Sequence, residues 1–251
     1  MAGAAMTLAG IASALRAGQV TARAVTEAAL ARAASQAHLN AFAELCDTAL
    51  AEADAADRAL AAGRDLGPLM GLPLGIKDMI DISGRATRAA SRVPAPVAAA
   101  DATCVARLRA QGAVMLGVTQ TYEFATVGPD EGLPQPPALN PWNVAHITGG
   151  SSSGSAVAVA AGIVRAALGT DTGGSVRSPA AYCGVVGLKP TRGRVPLTGV
   201  LPLAPGLDHV GPMAATVAEA ALVLDAVSDP GWRPASGRLE EGARGLRIGY
   251  A

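Results

Sequence analysis

Two short segments rich in glycine and hydroxyl side chains are the strongest candidates for chemistry in this sequence. Residues 149–155 read GGSSSGS, and residues 169–177 read GTDTGGSVR. A serine hydroxyl becomes a nucleophile when a neighbouring base takes its proton. Glycines let a ligand approach the backbone, and successive N–H groups at a helix start favour negative charge. The two segments therefore predict catalysis by a serine beside an oxyanion site.

The first segment, 149–155, admits three interpretations. As a phosphate loop it has the GxxxxG spacing, but Ser155 stands where a lysine is required. As a nucleophile elbow it places Ser152 at the centre of GxSxG, with Asp208 and His209 as candidate partners. No apolar strand precedes that elbow. Asp208 and His209 are also adjacent in the sequence, and adjacent residues rarely face the same site. The third interpretation is a flexible Gly/Ser linker, but the apolar segments on either side do not fit a disordered linker.

A nucleophilic serine needs a base, and no histidine lies near either segment in the sequence. The best candidate is Lys77, which ends the apolar run in residues 71–78, GLPLGIKD. Burial at the end of a strand disfavours the charged form of a lysine and lowers its pKa. A neutral lysine can accept a serine proton. The alternative is an ordinary lysine that reaches solvent.

Taken together, these segments resemble the amidase signature family. The motifs are GLPLGIKD, GGSSSGS and, at 171–195, DTGGSVRSPAAYCGVVGLKPTRGRV. The resemblance implies that Ser175 is the nucleophile, Ser151 a bridging serine with a non-proline cis peptide, and Lys77 the base. Ser151 and Ser175 are 24 positions apart, which is the spacing found in that family.

The resemblance also implies supporting roles. Ser152 and Asp171 would hold the geometry, and Arg177 would anchor the loop. The family commonly has glycine where this chain has Ser153, a change small enough to be tolerated. No metal or cofactor is implied. Backbone N–H groups of four consecutive residues would stabilise the oxyanion, namely Thr172, Gly173, Gly174 and Ser175.

Composition narrows the class of protein. Half of the 251 residues are apolar but only 3% are aromatic, which predicts a core of Ala, Val, Leu and Ile. A net charge of zero without a basic run argues against direct nucleic-acid binding. The three separated cysteines are expected to be reduced. We find no secretory signal and no apolar run that spans a membrane, and we predict a cytoplasmic protein.

Hydrophobic patterns predict an α/β fold, with a mixed β-sheet flanked by helices as in amidase-signature proteins. A loop at 128–141 carries five prolines, and a tight loop is expected at 170–174. The predicted strands are 74–76, 114–117 and 164–168, with a last one at 246–251. The predicted helices are 21–36, 45–62, 102–111, 153–161 and 216–227, and another starts near Ser175.

The predicted organisation is an N-terminal helical segment, 1–65, followed by a catalytic core, 66–251. Members of the resembled family are commonly much longer than 251 residues. We therefore interpret the core as the N-terminal half of a longer family domain, incomplete at its C-terminal end. The substrate pocket would lie largely in the other half.

Three functions remain open. The first is an amidase that acts on a small carboxamide or ureido compound, alone, as a homodimer or with a small accessory subunit. The second is the glutaminase (A) subunit of a tRNA-dependent amidotransferase. The Pro-rich loop at 130–140 is longer than expected for that glutaminase, which favours the first. The third is a catalytically silent homologue that acts in assembly.

Overall fold

A mixed sheet organises the chain. The computed structural model describes residues 6–242 together with 244, 245 and 247. In the described residues the sheet has the strand order β1-β3-β2-β4-β6-β5. The strands are β1 (Phe42–Leu45), β2 (Pro73–Lys77), β3 (Val114–Thr119), β4 (Ala166–Asp171), β5 (Val186–Gly187) and β6 (His209–Ala214).

The three central strands are parallel, and this decides where the polar residues meet. β2 pairs in parallel with both β3 and β4, whereas β1, β5 and β6 pair antiparallel with their neighbours. The carboxyl ends of parallel strands meet at one edge of a sheet. Lys77 ends β2, Thr119 ends β3 and Asp171 ends β4, so all three lie along that edge.

Seven α-helices are assigned in the described residues, and three of them begin at a threonine cap. Thr7, Thr21 and Thr216 each accept a hydrogen bond from the N–H three residues later, which satisfies a free donor at the helix start. The helices are α1 (Leu8–Arg16), α2 (Ala22–Ser35), α3 (Ala49–Ala61), α4 (Thr103–Ala110), α5 (Ser153–Ala160), α6 (Arg177–Cys183) and α7 (Val217–Val227).

Two hydrophobic clusters cover opposite faces of the sheet. Leu168 of β4 belongs to the cluster with α3, α4 and α7, whereas Ala167 belongs to the cluster with α5 and α6. Successive strand residues point to opposite faces, so the two clusters lie on either side. Their buried residues are mostly Ala, Val, Leu and Ile, together with methionines and cysteines. The predicted core composition and fold class are confirmed.

Most predicted elements agree with the structure to within a few residues, but two differ in an informative way. Leu45, the predicted first residue of the helix 45–62, is instead the last residue of β1, because residues 42–45 pair with β3. α3 therefore starts at Ala49. β4 runs from Ala166 to Asp171, later than predicted and into the expected tight loop, because it pairs with β6 as far as His209. The Pro-rich residues 128–141 contain no helix or strand.

Several elements have a weak signal in the sequence. α1, β1, β5 and β6 were not predicted; β5 has only two residues, and β6 contains Pro212. The strand predicted at 246–251 lies outside the described residues except for Arg247. The division of the chain at residue 65 stays a prediction. In the part of the chain that the structure describes, none of the helices has the length and apolar character to span a bilayer.

Candidate active site

Lys77 lies at the centre of the polar edge of the sheet. Its side chain is completely buried, and its Nζ donates to Ser151 Oγ at 2.7 Å and to Thr170 Oγ1 at 2.6 Å. β2 delivers the lysine and the neighbouring strand β4 delivers the threonine, while Ser151 comes from the loop before α5. Two hydroxyl groups, which accept its hydrogen bonds, therefore fix the position of the buried amine.

Burial gives Lys77 an unusual charge state. Removal from water lowers the pKa of Lys77 from 10.5 to about 7, against the opposing pull of the carboxylates of Asp171, Asp208 and Asp78. At neutral pH a large fraction of this lysine is therefore unprotonated. Unprotonated, it can accept a proton from the Ser151 hydroxyl that it contacts.

The loop before α5 is fastened to β4. The Gly150–Ser151 peptide is cis. Ser152 Oγ donates to the carbonyl oxygen of Thr170 and accepts from its N–H, both at 3.2 Å. A side chain on Gly169 would collide with Ser152, because its Cβ would lie 2.6 Å from Ser152 Oγ. These contacts keep Ser151 within reach of Lys77.

Asp171 organises residues 172–176, which we call the β4–α6 loop. Its buried carboxylate accepts the N–H of Gly174 at 3.0 Å and the N–H of Val176 at 3.1 Å. Arg177 donates to both carboxylate oxygens, at 2.9 and 3.0 Å. Burial alone would raise the pKa of Asp171, but the Arg177 guanidinium and the backbone donors hold that pKa below its usual range. The carboxylate is therefore a charged anchor.

Ser175 lies on this loop, half-buried. Its carbonyl oxygen accepts the N–H of Ser152 at 3.2 Å, which joins the two predicted segments. Within the described residues, no hydrogen bond links its hydroxyl to Ser151 or to Lys77. A Cβ added to Gly173 or Gly174 would meet no atom within 4 Å, so space is open beside the loop. A ligand carbonyl could occupy that space.

The N–H groups of the loop divide into two sets. Those of Gly174 and Val176 are bonded to Asp171. Those of Thr172, Gly173 and Ser175 make no hydrogen bond within the described part of the chain. Three of the four predicted oxyanion donors thus make no hydrogen bond in the described residues. The fourth, the N–H of Gly174, donates to the Asp171 carboxylate.

Two residues at this edge were missed in the sequence. Thr170 was assigned to a loop, although it follows the short apolar run of a fully buried strand. Asp208 was considered only as a partner for a histidine, yet it bonds the Thr172 hydroxyl. His209 Nδ1 lies 3.3 Å from the carbonyl oxygen of Asp171. The nucleophile-elbow interpretation is not supported, because no strand leads into Gly150 and Ser152 is bonded to β4.

Comparison with known proteins identifies the family. The family model described as Amidase matches residues 24–251. The A subunit of the glutamyl-tRNA(Gln) amidotransferase of Anaeromyxobacter dehalogenans is 48% identical over 238 residues, which are 90% of this chain and 48% of that protein. The chain spans about half the length of the curated relatives it matches.

Solved structures agree with this result. A peptide amidase from Stenotrophomonas maltophilia matches with a TM-score of 0.85 and 40% identity, over 94% of this chain and 50% of that one. A chain from a vestigial protein complex, connected with the origins of an s-triazine catabolic enzyme, matches with a TM-score of 0.91 and 41% identity, over 96% and 56%. With the motifs and the fold, these matches show that the chain belongs to the amidase family.

Proposed function

We propose that this chain carries the catalytic centre of a hydrolase that cleaves a small carboxylic amide or ureido compound. Lys77, Ser151 and Ser175 are the proposed catalytic residues. The observation that carries the proposal is the contact between the buried amine of Lys77 and the Ser151 hydroxyl, 2.7 Å apart. A lysine whose pKa is lowered to about 7 is suited to accept that proton at neutral pH.

In the proposed reaction, protons move along the three residues while one bond forms. The Ser175 oxygen attacks the amide carbonyl as its proton passes to Ser151, and the Ser151 proton passes to Lys77. The tetrahedral intermediate collapses when a proton returns through Ser151 to the leaving nitrogen. The C–N bond then breaks and an acyl-enzyme remains. Water, activated by the same route, releases the carboxylic acid and restores Ser175.

The β4–α6 loop would stabilise the oxyanion of that intermediate. The N–H groups of Thr172, Gly173 and Ser175 are the proposed donors, because they make no other hydrogen bond in the described residues. Each well-placed donor of this kind contributes about 10²–10³-fold to the rate. Gly174 is a weaker candidate, since its N–H already donates to Asp171.

A second candidate is the glutaminase component of an amidotransferase. The observation that favours it is the 44–48% identity to proteins named as the A subunit of glutamyl-tRNA(Gln) amidotransferase. The same three residues would then release ammonia from the side-chain amide of glutamine, and a partner protein would use it. The third candidate is a silent homologue that acts in assembly. The retained contact between Lys77 and Ser151 speaks against it.

Covalent labelling with a fluorophosphonate, which reacts with activated serine hydroxyls, tests the catalytic centre without knowledge of the substrate. We expect labelling at Ser175, no labelling in Ser175→Ala, and a fall of about 10²-fold or more in Ser151→Ala. Ser153→Ala is the matched control, because the buried Ser153 hydroxyl has no hydrogen-bond partner in the described residues. Equal labelling of all four proteins, or none in a folded wild type, would contradict the proposal.

Release of ammonia then separates the candidate substrates. The protein is assayed with simple carboxamides, with urea and biuret, and with glutamine, each against Ser175→Ala. Turnover of the simple amides or ureas supports the first candidate. Turnover of glutamine that appears only with a partner protein selects the second. A labelled protein without turnover of any of these compounds points to a substrate outside the panel.

A further inference from the structure

Asp208 is a buried carboxylate to which the proposed reaction assigns no role. It precedes β6 directly, and only 7% of its surface is exposed. It accepts the Thr172 hydroxyl from one side. From the other side it accepts the N–H of Leu203 at 2.9 Å and the N–H of Ala204 at 3.0 Å. It therefore joins a turn of its own segment to the β4–α6 loop.

The position of this bond on the loop is informative. Thr172 is the first residue of the loop and supplies one of its unoccupied N–H groups. Asp171 holds the loop from beneath through Gly174 and Val176, and Asp208 holds its first side chain. Two carboxylates thus constrain a five-residue segment that lies between β4 and α6, outside both elements.

We propose that Asp208 is a positioning residue for amide hydrolysis: by holding Thr172 it keeps the β4–α6 loop in the conformation that presents its N–H groups to the substrate carbonyl. The inference rests on the proposed function, because it concerns the same oxyanion site. Asp208 would act through Thr172 and would not touch the substrate.

The charge of Asp208 supplies a readout that a purely structural role would not move. Lys77 is surrounded by the carboxylates of Asp171, Asp208 and Asp78, each of which raises its pKa, and Arg177 neutralises part of the first. Removal of the Asp208 charge should therefore lower the pKa of Lys77. The acid limb of the rate profile should move to lower pH.

The experiment compares Asp208→Asn, Thr172→Val and the double variant. We expect each single variant to slow fluorophosphonate labelling by about 10–10²-fold, below the full loss of an oxyanion donor. The double variant should be no slower than the slower of the two single variants, because both changes act on the same hydrogen bond. Valine removes its donor, and asparagine replaces its charged acceptor with a neutral one. Asp208→Asn, by itself or in the double variant, should shift the acid limb to lower pH, whereas Thr172→Val should not. Asp54→Asn, which removes a carboxylate paired with Arg23 between α2 and α3, is the control and should change neither.

Amide hydrogen exchange tests the positioning without any catalysis. In the intact protein the N–H groups of Gly174 and Val176 are bonded to Asp171 and should be protected. We expect Asp208→Asn and Thr172→Val to reduce that protection while the amides of β4 stay protected. Unchanged protection of these two amides would overturn the inference. So would a double variant in which the reductions in labelling rate of the two single variants multiply. If wild type is not labelled but protection still falls, the proposed function fails and the positioning role stands.

Discussion

At the scale of single residues, the charge state of Lys77 decides whether the proposed proton transfer can take place. The lysine is fully buried, and its amine contacts only hydroxyl oxygens at hydrogen-bonding distance in the described residues. Burial lowers its pKa to about 7. Below that pH the amine is charged and cannot accept a proton, whereas above it the amine is neutral. Activity should therefore rise with pH through this value.

We predict that the second-order rate of fluorophosphonate labelling increases about tenfold per unit below pH 7 and levels off above it, as expected for one titrating base. The measurement is the labelling rate between pH 5.5 and 9. Lys77→Met, which keeps the length and burial of the side chain, should show a low rate without this rise. A profile that is flat in wild type, or that falls with pH, would mean that Lys77 is not the base.

At the scale of elements, the first turn of α5 is packed directly against the ends of neighbouring strands. Gly154 lies in that turn, and its N–H donates to the carbonyl oxygen of Gln120 at 2.9 Å. A Cβ there would lie 2.3 Å from both the carbonyl oxygen of Ala41 and the N–H nitrogen of Gln120. Both neighbours are backbone atoms, so a side chain can fit only if a strand end moves.

Gly154→Ala should therefore destabilise the protein by about 3 kcal/mol, the upper range for an overpacked core. It should also lower labelling, because α5 follows Ser151. Urea unfolding measures the first effect. Gly10→Ala makes the same chemical change inside α1, where the nearest atom would be 3.4 Å away, and should stabilise by about 0.5–1 kcal/mol. Equal effects of the two changes would show that packing around α5 is looser than the structure indicates.

At the scale of the whole molecule, Glu219 joins distant parts of the chain. Its buried carboxylate accepts the N–H of Leu8 at the start of α1, 211 positions away, at 2.8 Å. It also accepts two donors of Arg165, at 2.8 and 2.9 Å, just before β4. One side chain of α7 therefore holds the first helix and the sheet together, at the opposite end of β4 from Lys77.

Glu219→Gln should cost about 3 kcal/mol in free energy of unfolding, because it leaves the half-buried Arg165 without a charged partner. Denaturant titration measures this cost. The control is Glu27→Gln, which removes an exposed pair with Arg23 and should leave the unfolding midpoint unchanged. Labelling of the folded Glu219→Gln protein should match wild type. A folded Glu219→Gln protein whose labelling rate differs from that of wild type would show that Glu219 also influences the candidate active site.

Local features of the sequence are sufficient to select the candidate residues and the class of fold that carries them. Hydrophobic patterns predicted the α/β fold, and the motifs around Lys77, Ser151 and Ser175 gave the resemblance to the family. That resemblance, which includes the serine spacing, implied a role for Ser151, and the structure places Ser151 against Lys77 across 74 positions of the chain. The helix predicted to start at Thr21 does so, and the Thr21 hydroxyl caps it by accepting the N–H of Ala24, which is a local interaction.

Which side chains meet around these residues depends on how the chain packs in three dimensions. Thr170 reaches Lys77 because β2 and β4 are neighbours, and strand order is not encoded in any local pattern. Asp208 reaches Thr172 across 36 positions because β6 pairs antiparallel with β4. The depth of burial that lowers the pKa of Lys77 is likewise a property of the packed sheet. Local chemistry thus selected the catalytic candidates, while strand pairing selected their partners.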